Sequence, residues 1–103
     1  MYVPQGIVNQ SKINTAVSEV ILELSPYVQR IRYQIGPDSS GEWAIFFRVL
    51  LSDEASSEKN LREIAPQVVW KLSDRIDLPE HGLFPYFNFR SESEQATVNE
   101  PGW

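Results

Sequence analysis

Four arginines stand in three short alternating segments: Arg30-Ile31-Arg32-Tyr33, Ile45-Phe46-Phe47-Arg48 and Phe87-Asn88-Phe89-Arg90. Successive side chains of a strand project to opposite faces. If Ile31, Tyr33, Phe47 and Phe89 face one core, then Arg30, Arg32, Arg48 and Arg90 line the other side. Phe46, Tyr86, Asn88 and Gln34 fall on that same side by the same count. Guanidinium groups make charge-assisted, forked hydrogen bonds and stack on aromatic faces. The chemistry of such a surface is recognition, and its candidate binding residues are Arg30, Arg32, Phe46, Arg48, Tyr86, Asn88 and Arg90. It suits an acidic protein patch, RNA or a nucleotide. Against this stands the plainer fact that the uncovered face of any antiparallel sheet is polar, and arginine is common there.

Residues for a reaction are sparse. Gly36-Pro37-Asp38-Ser39-Ser40-Gly41 has no lysine and no P-loop spacing, and it joins two strands, so it reads as a hairpin turn. Nucleotidyl transfer needs paired strand carboxylates to hold divalent metal. Ser52-Asp53-Glu54 only ends a strand. His81 is the single histidine and cysteine is absent, so zinc ligation has almost no basis. In Pro79-Glu80-His81-Gly82 the histidine reads as solvated or as a local turn residue. Ser39 or Ser40 with His81 lacks nucleophile-elbow spacing. The reading is therefore a non-enzyme with no catalytic residue, no metal and no cofactor.

The elements that must position the arginines follow from periodicity. Ser11 is a candidate N-cap, and Ile13, Val17, Val20, Ile21 and Leu24 recur at helical spacing until Ser25-Pro26 stops the helix. Residues 27–35 read as a first strand and 43–51 as a second, joined as an antiparallel hairpin. The second strand is apolar on both faces, which suits a central or partly covered position. Acids near Asp53 and Glu58 open a second helix with the stripe Leu61, Ile64, Val68, Leu72 and Ile76. Pro66 interrupts it, predicting a kink or two short helices. Residues 83–90 form a third strand. The expected fold is α+β, a two-layer α-β-β-α-β sandwich. Its three-stranded antiparallel sheet has order 2-1-3, with the helices on one face. Residues 1–10 read as an N-terminal arm, 11–90 as the single domain, and 91–103 as a polar, mobile C-terminal tail in which Trp103 is out of place.

The chain has 103 residues, 42% hydrophobic and 12% aromatic, with nine basic residues and a net charge of −5. That composition fits one globular domain. The acidic balance argues against broad nucleic-acid binding, so a protein partner ranks above RNA or a nucleotide. No apolar run approaches membrane-span length and no secretory leader is evident, so the expected location is cytoplasmic, with no membrane partner. Self-association is a further option. The segments Arg30–Tyr33, 40–55 and 83–95 together resemble a family of small, uncharacterised bacterial proteins, over about residues 27–102. The resemblance implies a chain that accompanies a HEPN-type helical protein, a class that includes RNA-cutting toxins. It would be the antitoxin-like or regulatory half of a toxin–antitoxin pair, and it carries over no catalytic residue.

Overall fold

The computed structural model describes residues 10–98 and 103. The elements are α1 (Ser11–Glu23), β1 (Val28–Pro37), β2 (Trp43–Leu51), α2 (Glu58–Arg75), β3 (Phe84–Ser91) and α3 (Glu92–Val98). The first ten residues, expected as an arm, lie outside the described region except Gln10. Gln10, not Ser11, is the N-cap of α1, with no side-chain capping bond. Ser11 is the first helical residue.

The fold is α+β, and both long helices lie on one face of a three-stranded sheet. Ile13, Ala16, Val17 and Val20 of α1 and Ile64, Val68 and Leu72 of α2 join Ile31, Ile45, Phe47, Val49 and Leu51 in one core. Phe47 is completely buried. Its ring lies 5.0 Å from that of Phe87, nearly parallel, and 6.2 Å from that of Tyr33. The Tyr33 hydroxyl donates to Asn14 Oδ1 at 2.6 Å, with Gln10 Oε1 3.0 Å away as an alternative acceptor, tying β1 to the start of α1. On the outer side, Arg75 reaches from α2 to Glu19 (3.1 Å) and Glu23 (2.6 Å) of α1.

The strand order corrects the expectation of an antiparallel 2-1-3 sheet. The order is β1-β2-β3, with β1 and β2 antiparallel and β2 and β3 parallel. The crossover through α2 returns to the free edge of β2 instead of passing over β1. The physical reason lies in β2, which carries apolar side chains on both faces and gains most from neighbours on both edges. In this order Phe46 stacks on Tyr86 at 5.2 Å and Phe47 on Phe87 at 5.0 Å. Placing β3 beside β1 would set those rings against Gln34 and Tyr33.

Two further expectations meet the structure. Of the kink or two short helices expected at Pro66, the two short helices are not formed, because a single helix, Glu58–Arg75, runs through Pro66. Pro66 is exposed, so the Arg62 carbonyl that loses its helical donor is turned towards water, while the Ile64–Val68–Leu72 stripe stays continuous. And the segment expected as a mobile tail contains α3. Ser91 Oγ accepts from Glu94 N at 3.1 Å and Glu94 Oε1 accepts from Ser91 N at 3.4 Å, a capping box. Asp53, just after β2, accepts from Ser93 N at 3.0 Å and Ser93 Oγ at 2.6 Å.

Candidate functional site: the open sheet face

Residues paired across neighbouring strands project to the same side. The register therefore sets out the uncovered face in rows. Arg30, Leu50 and Arg90 form one, Arg32, Arg48 and Asn88 the next, Gln34, Phe46 and Tyr86 a third, and Ala44 and Phe84 a fourth. All seven residues singled out from the sequence lie on this face. Arg30, Arg32, Tyr86 and Asn88 are exposed, and Phe46, Arg48 and Arg90 are half-buried. The pairing is unbroken from Pro37–Trp43 to Arg30–Leu50, so Arg30 and Arg32 share the face with Arg48, and the register shifts only between Arg30 and Val28.

Arg32 and Arg48 are direct cross-strand partners. Like charges placed opposite each other destabilise a sheet. Among the described residues no carboxylate pairs with Arg30, Arg32 or Arg48, and Glu19, Glu23 and Glu58 pair with Lys71, Arg75 and Arg62 on the helices. Arg90 is placed differently. Its guanidinium carbon lies 4.2 Å from the ring centre of Trp103, and its Nη1 donates to Gln95 at 2.8 Å. Trp103 is only 7% exposed, which accounts for an indole in an otherwise polar segment.

The aromatic middle of the face runs Phe46, Tyr86, Phe84. Tyr86 stacks on Phe46 and meets Phe84 at 5.2 Å, tilted by 54°. Phe84 is 60% exposed. At the far end lies the β1–β2 turn. Asp38 Oδ1 accepts from Ser40 N, Ser40 Oγ and Glu42 N, and Gly41 takes a φ of +86° that favours glycine. The loop is thus a hairpin turn, not a phosphate cradle. Asp38 Oδ2 accepts from the Tyr86 hydroxyl at 2.9 Å, across the fully buried Ala44. The Ser40 hydroxyl, ahead of the other donors, holds the Asp38 carboxyl below the usual carboxylate range. The bond to Asp38 in turn pushes the Tyr86 phenol up. An open cleft of about 530 Å³ runs beside this bridge, lined by Asp38, Glu42, Trp43, Phe84 and Tyr86 among others. The sequence reading passed over Asp38 and Glu42 as binding groups, although the two-residue step from Ala44 to Glu42 was a signal that both extend the same face.

The other candidates are occupied locally. His81 is buried, with Nδ1 2.7 Å from the Asp77 carbonyl, so it is a turn residue that is not solvated. Facing a carbonyl, Nδ1 must carry the proton. Asp53 is engaged with Ser93, whose hydroxyl holds its carboxyl below the ordinary value. Among the described residues no group of three or more His, Asp or Glu could hold a metal ion, and no helix is long and apolar enough to cross a membrane.

No protein-family model matches the chain, and no curated protein matches it. Among solved structures it is similar to the metal-bound C-terminal domain of the CzcD transporter from Cuprividus metallidurans. The identity is 16% and the TM-score 0.49, over 76% of this chain and 96% of that one. A likeness of this size says nothing about what the present chain binds.

Proposed function

We propose that this chain is a non-catalytic interaction module that docks on another protein through the arginine–aromatic face of its sheet. The observation that carries this reading is the Arg32–Arg48 pair, two opposed cations with no carboxylate beside them among the described residues, on a chain of net charge −5. An acidic surface laid on them relieves a repulsion that the isolated fold retains. The acid and base candidates, Asp38, Asp53 and His81, are all held in turn or capping bonds, which favours a binding role over catalysis. The resemblance noted above gives the partner its class. In this reading the chain acts in the bacterial cytoplasm as the antitoxin-like or regulatory half of a pair with a HEPN-type protein. Glu92 and Glu94 of α3 are acids suited to a basic substrate groove.

The test is purification from the native host of the wild-type chain and of the double variant Arg32→Ala/Arg48→Ala, with co-eluting chains identified by mass spectrometry. One defined chain should be lost from the variant while the melting temperature stays within a few degrees. Equal recovery with a well-folded variant overturns the reading. If the chain that is lost is toxic when expressed alone and harmless when co-expressed, the antitoxin role is supported; equal toxicity in both cases removes it.

A second reading, RNA or nucleotide binding, is favoured by the Phe46–Tyr86–Phe84 run beside the arginines, since exposed rings stack bases. Fluorescence anisotropy with a labelled single-stranded RNA decides it. Binding that is lost at high salt and in the same double variant supports this reading.

A further inference from the structure

We propose that the partner of the open sheet face is a second copy of the same chain, docked face to face about a two-fold axis that crosses the strands at the level of Phe46 and Tyr86. This rests on the reading of the face as a protein interface and names what occupies it when the other protein is not bound.

The argument is charge complementarity along the strands. One end of the face carries Arg30, Arg32 and Arg48, the middle carries Phe46, Tyr86 and Phe84, and the far end carries Asp38 and Glu42. The cleft at the far end has aromatic walls and two carboxylates at its mouth, which is the chemistry that receives a guanidinium. Arg30, Arg32 and Arg48, which no carboxylate pairs with among the described residues, belong to the same face. A two-fold axis lying between the sheets and perpendicular to the strands reverses the row order. On β1, Arg30 then stands opposite Asp38 of the second copy and Arg32 opposite its Gly36. On β2, Arg48 stands opposite Ala44, one row short of Glu42.

Sterics agree with that register. Gly36 has nothing within 4 Å of the place a Cβ would take, and Ala44 is the smallest side chain of β2. The position facing Arg32 therefore has room, whereas Ala44 is buried beneath the Asp38–Tyr86 bridge, so Arg48 must pass over that bridge. One row is about 6.6 Å along a strand, within the reach of an extended arginine, so Arg48 meets the Glu42 carboxylate. Because the interface is isologous, each contact occurs twice and both Arg32–Arg48 repulsions are relieved together. The face spans roughly 27 Å by 15 Å, or about 400 Å² per copy from strand spacings. This is at the small end for specific interfaces, so the dimer is weak, concentration-dependent and sensitive to salt.

The test is sedimentation equilibrium of the full chain. At low salt and rising concentration the mass should climb from 11.8 kDa towards twice that value, and fall back at high salt. Arg48→Asp sets a new carboxylate against Glu42 of the second copy, and Glu42→Arg sets a new guanidinium against its Arg48. Each variant alone should associate at least tenfold more weakly. Mixed one to one, they should recover the dimer, because both of its contacts then join opposite charges. If Arg48→Asp does not fold by circular dichroism, Arg48→Ala and Glu42→Gln take its place, and each should lower the association constant and flatten its salt dependence.

A wild-type chain that stays monomeric to millimolar concentration at low salt overturns the proposal. So does a dimer indifferent to these substitutions, or a mixture of folded charge variants that does not recover. A monomeric wild type whose Arg32→Ala/Arg48→Ala variant still loses a co-purifying protein overturns self-association alone and leaves the face as an interface with that protein. A monomeric wild type with no such loss overturns both readings.

Discussion

Phe47 and Arg48 are neighbours in the chain and do opposite jobs. Phe47 is sealed between Tyr33 and Phe87 under the two helices. Arg48 stands half-buried on the other side, facing Arg32. Strand alternation made this division legible, since each residue type could serve only one face. Truncating Phe47 to alanine leaves a ring-sized void in a core that cannot collapse around it. The expected loss is ~3–5 kcal/mol by urea denaturation, and a loss under ~1 kcal/mol would place Phe47 outside the core. What the residue pattern did not disclose is that Arg32 and Arg48 oppose each other. That depends on the register that the hairpin turn sets, which runs unbroken from Pro37–Trp43 to Arg30–Leu50.

Among the elements, α3 is the one the sequence reading missed. Ser91-Glu92-Ser93-Glu94 spells a capping box, but its acids and serines look equally like a solvated tail. The deciding contact, Asp53 to Ser93, spans 40 residues and cannot be seen locally. It makes α3 sensitive to acid. The Asp53 carboxyl is held below its ordinary value in the fold. Its contribution is therefore present above the unfolded carboxylate pKa and lost as the pH falls through the lowered folded value. Amide exchange of Ser93 and Glu94 should accelerate selectively in acid, below the ordinary aspartate range, and Asp53→Asn should remove most of that pH dependence. An unchanged acid response in the variant would assign the effect to other groups.

At the scale of the molecule, one strand of the sheet is paired on both edges among the described residues. β2 bonds to β1 on one edge and β3 on the other, and its Ile45, Phe47, Val49 and Leu51 are buried to 1% exposure or less. Global opening is needed to expose such amides, whereas a seven-residue helix with no buried residue opens alone. Hydrogen exchange should therefore be slowest at Phe47 and Val49 and fastest in α3. Greater protection of β1 than of β2 would argue for the 2-1-3 order, with β1 inside the sheet. The same layout grades charge along the open face, from arginine at one end to Asp38 and Glu42 at the other.

The helical stripes, the three alternating strands, the hairpin at Asp38–Gly41 and the side on which the arginines stand were all legible in the residue order. Each of these follows from a local period or from turn chemistry, and the physics acts within a few residues. The neighbour of β3, the continuity of α2 through Pro66, the capping of α3 and the cover of Arg90 by Trp103 came only with the folded chain. Each depends on which distant surfaces meet. The return of β3 to β2 was settled by the stacking of Phe46 on Tyr86 and Phe47 on Phe87, an energy that exists only once the strands lie side by side.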